Sequence, residues 1–184
     1  MLRNLTSLSG DRMVSKTHGR IAFRGVIDVL EAEVIEAQVM AVERGKAELC
    51  ASLGEILGFL RAIMAAEVKE TPLPQLSLFG IELEEIHRQS HDIEGSLGII
   101  PPLPSYTQGP LAVRLNTLRT KVREAELLAV KVFGSEENMH GTHAGEGEVS
   151  DFYPGEDIIL ALNRLSSAFW WLYCRNISPK TISA

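Results

Sequence analysis

Arg119, Arg123 and Glu126 follow one another at spacings of four and three residues, which on a helix places all three on one face. Two guanidiniums one turn apart repel by about a few tenths of a kcal/mol on a bare helix, so an anion is expected opposite them. A carboxylate from another helix or subunit would serve, and so would a phosphate, because arginine's planar fork bonds the oxygen pairs of either. A solvated charged face is the plainer reading of the same spacing. Asn163, in Asn163-Arg164-Leu165-Ser166-Ser167, stands beside an apolar stripe, where an amide must find hydrogen-bond partners or destabilise the fold. A structural hydrogen bond is the simplest outcome for it. Asp28 poses the same question, with Arg24 one turn earlier as its expected intrahelical partner.

No Ser-His-Asp set, nucleophilic cysteine or P-loop accompanies these residues. The histidines offer one alternative chemistry. Glu84-Glu85-Ile86-His87 matches the Glu-x-x-His unit of di-iron bundles, and His87 with His91 has metal-capable spacing. The second match, Glu137-Asn138-Met139-His140, falls in a glycine-rich acidic stretch, where a rigid four-helix site cannot be built. His87 and His91 are therefore expected on a helix surface, His140 and His143 in a loop, and no resident metal is expected.

The elements that must position these groups are legible from one period. Apolar residues recur in steps of three and four over four long segments: Arg20 to Arg44, Lys46 to Glu67, Gly109 to Phe133 and Glu156 to Asn176. Each predicts an amphipathic helix that buries its stripe against the others. A fifth, shorter helix is expected from Glu82 to about Gln89, and no stretch alternates as a strand would. The fold class is all-α, a five-helix up-down bundle with four long helices and one short, over residues 1–184 as a single domain. Thr71-Pro72-Leu73-Pro74 ends the second helix, Gly98 to Pro104 makes an extended connection, and residues 134–157, without Lys or Arg, predict a mobile acidic loop. Gly54 and Gly58, one turn apart in the second helix, predict a close helix–helix approach or room for a large flat ligand.

Composition narrows the class. In 184 residues, 45% are hydrophobic and 23% charged, with a net charge of -6, as in a folded globular domain. The acidic balance argues against nucleic acid as a partner. Two cysteines are too few for a disulfide framework and suit a reducing compartment. No export signal is seen, and the apolar cluster Ala168 to Cys174 is too short for a membrane span and reads as a buried helix face. A cytoplasmic protein is expected, with association to a microcompartment as a further expectation.

Two motifs then stand out together. Leu118-Arg119-Thr120-Lys121-Val122-Arg123-Glu124-Ala125-Glu126 resembles the signature helix of the ATP:cob(I)alamin adenosyltransferases, approximately Ala-Arg-Thr-x-x-Arg-Arg-Ala-Glu. Ala161-Leu162-Asn163-Arg164-Leu165-Ser166-Ser167 resembles their second signature, Leu-Asn-Arg-Leu-Ser-Asp, with Ser167 where Asp is common. Phe23-Arg24-Gly25-Val26-Ile27-Asp28-Val29-Leu30-Glu31-Ala32 is similar to the first-helix pattern, closest to the ethanolamine-utilisation branch. The resemblance runs from about Thr6 to Arg175.

It implies transfer of the 5′-deoxyadenosyl group of ATP, with Mg²⁺, to the cobalt of reduced cobalamin, which is itself the nucleophile. Arg123 and Asn163 would contact ATP, Glu126 would orient neighbouring groups or bind nucleotide, and Asp28 and Arg119 would pair across a subunit boundary of a homotrimer. Thr6-Ser7-Leu8-Ser9-Gly10-Asp11-Arg12 is a loose echo of the glycine-rich phosphate loop of another branch, which makes Thr6, Gly10 and Lys16 candidate phosphate ligands. An apolar wall that removes the corrinoid's lower ligand is sought within Ile99 to Tyr106. The His and Cys-Cys-x-x-Cys metal motif of some ethanolamine-branch members is absent. A reductase and an adenosylcobalamin-dependent lyase are the implied partners, with neither nucleic acid nor membrane. A non-catalytic helical interaction protein of a microcompartment is the competing reading.

Overall fold

A computed structural model describes residues 4–74, 77–134 and 155–178. Four long helices dominate it: α1 (Gly19–Glu43), α2 (Ala47–Lys69), α5 (Pro110–Phe133) and α6 (Gly155–Ile177). Two short ones, α3 (Leu83–His91) and α4 (Ile93–Leu97), lie between α2 and α5. Their stripes meet in one core, with Phe23, Ile27, Leu30, Leu53, Ile56, Leu60, Leu115, Leu118, Leu162, Leu165 and Phe169 all within 1% of full burial. The all-α bundle expected from the period is thus the observed one.

Side-chain pairs show the packing sense of each neighbouring pair. Arg61 reaches Glu31 (3.2 Å) and Gln38 donates to the Cys50 carbonyl (3.3 Å), so α1 and α2 run antiparallel. Lys121 pairs with Glu33 and Arg114 with Glu36, which sets α5 antiparallel to α1. Arg175 meets Glu48 at 2.8 Å, bringing the end of α6 to the start of α2. Glu126 meets Asn163 and Arg119 meets Trp170, which sets α6 antiparallel to α5. With α1 taken as up, the order is up, down, down and up, and the up-down alternation expected from the sequence fails between α2 and α5, where the connection carrying α3 and α4 returns the chain. At one end α1 and α5 come so close that a Cβ on Gly19 would lie 3.1 Å from Val132.

Several local features depart from expectation. Two hairpins add short strands where none was predicted: β1 (Leu5–Ser9) with β2 (Arg12–Ser15), and β3 (Ser77–Leu78) with β4 (Ile81–Glu82). Each is made by its turn rather than by alternation. Gly10 adopts φ +52° and the Ser7 hydroxyl donates to its carbonyl, while Phe79 and Gly80 both have positive φ, as a two-residue hairpin turn requires. The Glu55 carboxylate accepts the Phe79 N–H (2.6 Å), and the Phe79 ring stacks on Trp171. α4 was not expected either; the Asp92 side chain caps it by accepting from Gly95 N–H.

Among the described residues the glycine pair of α2 meets no close helix approach: a Cβ on Gly58 would meet nothing within 4 Å, and one on Gly54 only the Gln38 amide at 3.4 Å. α2 ends at Glu70, in the left-handed region at φ 54°, before the prolines are reached. By length and composition α2 could cross a membrane, although half of the qualifying stretch is buried in the bundle. The expected acidic loop lies for the most part outside the described residues, and α6 begins at Gly155.

Candidate functional site

α5, α6 and α3 together enclose a cleft of about 490 Å³. Its floor is α6. With Leu162, Leu165 and Phe169 drawn into the core, the intervening Asn163, Ser166, Ser167 and Trp170 fall on the outward flank, one and two turns apart. One wall is α5, where burial of Leu118, Val122 and Ala125 turns Arg119, Arg123, Glu126 and Leu127 toward the cleft. The other is α3, whose Ile86 is buried and whose His87, Ser90 and His91 line the space, with Pro104 at one end.

Four of the residues singled out in the sequence, Arg119, Arg123, Glu126 and Asn163, therefore line one cleft. Asn163 donates to Glu126 Oε1 (2.9 Å) and accepts from Arg164 Nη1 (2.7 Å), which meets the structural requirement of a half-buried amide. An amide has two N–H donors and a two-lone-pair oxygen, so one donor and one lone pair remain. Arg119 is held by Asn116 Oδ1 (3.1 Å) and lies over the Trp170 ring, 5.5 Å from its centroid. Burial, and then the like charge of Arg123, lower its pKa. Among the described residues no carboxylate pairs with Arg119 or Arg123. The anion that their spacing calls for is not supplied from within the described chain.

The other four candidates lie elsewhere. Asp28 is exposed on α1 and, among the described residues, unpaired; the expected Arg24 partner instead donates to Glu67 (2.5 Å) and to the Leu8 carbonyl (2.7 Å). A buried carboxylate draws that guanidinium harder than an exposed one in water. Thr6, Gly10 and Lys16 belong to or flank the β1–β2 hairpin, which Arg24 ties to the first turns of α1, and none of them lines the cleft.

The structure also adds residues. His87, read as a surface histidine, is half-buried, and its Nδ1 lies 3.0 Å from Ser167 Oγ. The His91 ring meets it edge to face, centroids 4.5 Å apart. Trp170 departs from the buried face expected of the Ala168–Cys174 cluster: it is half-buried and lines the cleft, where Arg119 covers it and Tyr173 stacks on it. The i, i+4 spacing of His87 and His91 was a visible signal, whereas the approach of α3 to α6 was not. Within the connection sought as an apolar wall, Ile100, Leu103 and Tyr106 are 79%, 88% and 87% exposed, and Pro104 borders the cleft. Gln108 shapes this segment, donating to the Leu103 carbonyl (3.1 Å) and accepting from Tyr173 Oη (2.6 Å) and from Ser105 N–H (2.7 Å).

Both cysteines are free, and burial pushes the Cys174 thiol up to about 12. Among the described residues no three of His, Cys, Asp and Glu converge as metal ligands do, and the Glu137–His140 match lies outside those residues. What the cleft offers is paired cations, an amide and hydroxyls, facing a partly apolar end.

A sequence model of the cobalamin adenosyltransferase family matches residues 3–176. The chain belongs to that family. Among curated relatives, the corrinoid adenosyltransferase EutT of Salmonella typhimurium is 33% identical over 181 residues, covering 97% of this chain and 61% of the relative. EutT of Escherichia coli is 31% identical over 179 residues with the same coverage of each. The corrinoid adenosyltransferase PduO of Citrobacter freundii is 31% identical over 130 residues, 69% of this chain and 38% of that protein. The chain thus spans about three-fifths of the length of the EutT relatives it matches. No solved structure matches it. Both family signatures lie along the cleft, one on α5 and the other on α6.

Proposed function

We propose that this protein transfers the 5′-deoxyadenosyl group of ATP to the cobalt of a reduced corrinoid, forming adenosylcobalamin. The observation that carries the reading is the union of Arg119, Arg123, Glu126 and Asn163 in one cleft whose guanidiniums lack an anionic partner among the described residues. A polyphosphate supplies that partner, and the strongest bonds available to it are charge-assisted ones from arginine. In the reaction the cobalt electron pair forms the bond to C5′, the C5′–O bond breaks and its electrons leave with the polyphosphate. The protein needs no nucleophile of its own. Arg123 binds the departing phosphates, Asn163 uses its remaining donor and acceptor on the nucleotide, and Glu126 orients Asn163. Mg²⁺ arrives with ATP: Glu126 is the one carboxylate among the cleft-lining residues, which suits a cation held mainly by phosphates and water. Ile100, Leu103 and Tyr106, exposed on the connection whose Pro104 borders the cleft, form the apolar surface that meets the corrinoid.

We further propose a homotrimer. The outward face of α1 carries Val29, Ile35, Val39 and Val42, 44–64% exposed, in a stripe with the unpaired Asp28. Such a face favours burial against another copy. Asp28 of one subunit then pairs with Arg119 of the next, and Thr6, Gly10 and Lys16 reach a nucleotide only from a neighbouring copy. The protein works in the cytoplasm or in a microcompartment, receiving reduced corrinoid from a reductase and passing product to an adenosylcobalamin-dependent lyase.

The test is direct. Protein, Mg-ATP and chemically reduced corrinoid are mixed anaerobically, and formation of the cobalt–carbon bond is followed by absorbance. Arg123→Ala and Asn163→Ala should keep their helicity by circular dichroism and lose activity by about a hundredfold. Wild-type rates in both variants would mean that the cleft is not the site.

A further inference from the structure

The second wall of the cleft is built of imidazoles. His87 and His91 stand one turn apart on α3, edge to face, on the side of the α6 floor away from Arg119 and Arg123. We infer that His87 is a further nucleotide-binding residue, which donates from its imidazole to a phosphate oxygen of ATP, with Ser167 as the residue that positions it. The inference rests on the nucleotide reading above and deepens it, because it makes the phosphate site two-sided.

Three observations support this. First, the Nδ1 of His87 is already engaged by Ser167 Oγ at 3.0 Å, which fixes the ring and leaves Nε2 for another partner. Second, the Glu84 carboxylate, one turn before His87 on α3, is occupied elsewhere: Arg164 donates to it twice (2.8 and 3.0 Å), and these bonds hold the Glu84 carboxyl below its ordinary range. Third, the residue that meets the ring is a serine. A carboxylate there would pair with the imidazole and cancel its charge toward an anion, whereas a hydroxyl orients the ring and leaves the charge available.

The charged and titratable groups facing His87 are Glu84 and His91 on α3, Arg164 on α6 and, across the cleft, Arg119, Arg123 and Glu126 on α5. Burial, then Arg164, then His91, lower the pKa of His87 from its ordinary value. A bound polyphosphate stabilises the imidazolium and raises that pKa. The charged contribution to affinity is therefore present at low pH and lost as pH rises through the bound-state pKa.

Mg-ATP affinity is measured by calorimetry at pH 5.5 and 8.0 for the wild type, His87→Gln, Ser167→Ala, the double variant and Arg123→Ala. Comparing proteins at one pH cancels the ionisation of ATP itself. His87→Gln should weaken binding about tenfold at pH 5.5 and about threefold or less at pH 8.0, as expected for a charge-assisted bond giving way to a neutral one. Ser167→Ala should weaken binding in the wild type and add nothing in the His87→Gln background. Equal affinity of His87→Gln and wild type at both pH values overturns the inference. So does an equal loss at both, or a full Ser167→Ala loss in the double variant. If the wild type itself does not bind Mg-ATP, or Arg123→Ala binds as tightly, the nucleotide reading fails instead.

Discussion

Glu67 is 1% exposed and holds two guanidiniums at once: Arg24 at 2.5 Å and Arg20, whose Nη2 also donates to the Glu67 carbonyl. Burial alone would lower the pKa of Arg20, but its hydrogen bonds to Glu70 and Glu67 outweigh this and raise it. Through Arg24 the same cluster ties the β1 backbone to α1. Removing one member of a buried ion network leaves the others charged and desolvated, so Glu67→Ala should destabilise the fold by about 3–5 kcal/mol in a urea titration. A loss below about 1 kcal/mol would show that the arginines find water instead. Glu67 was read only as the last residue of a predicted helix. A carboxylate's burial depends on which helix lies opposite, and no local pattern reports that. Arg119 and Arg123 were legible for the opposite reason, since their mutual repulsion is set by spacing within one helix.

Among the elements, α2 separates pattern from context. Its stripe Leu49, Leu53, Ile56, Leu60 and Ile63 is buried as the period requires. Its glycines are a different matter, because a missing side chain shows that something is absent without showing what faces the gap. In this fold nothing in the described chain faces Gly58. Gly58→Ala should therefore stabilise the isolated chain by about 0.5–1 kcal/mol, a rise in Tm of about 1–4 °C. A fall in Tm would place another surface against that face. α3 was foreseen by its period, but its role was not. Nine residues placed on α6 turn two histidines from solvent-facing groups into a cleft wall. The hairpins were missed because a two-residue turn with positive φ at Phe79 and Gly80 needs no alternating strand to announce it.

Across the molecule, the same amphipathic logic that buries one face of α1 leaves a second apolar stripe outside. Val29, Ile35, Val39 and Val42 are too exposed to contribute to the core and too apolar for a face meant only for water. Val39→Glu should shift the protein toward monomer in sedimentation velocity while helicity is retained. A variant that stays assembled at the same concentration would place the contact on another surface. If Asp28 and Arg119 pair between copies, Asp28→Ala and Arg119→Ala should each weaken assembly, and the double variant should be no weaker than the stronger of the two.

The helical period, read from the chain alone, determined the four long helices and their buried faces, and residue order carried the two motifs that resemble the family's signatures, because period and motif depend only on order along the chain. It also determined that Arg119 and Arg123 want an anion. Which wall faces them was decided only by the tertiary structure. The α3 helix packs against α6 through contacts some eighty residues apart, as His87 with Ser167 and Glu84 with Arg164 show. The same packing sent Arg24 to Glu67 and left Asp28 exposed, because burial and partner choice are set by what lies opposite in space.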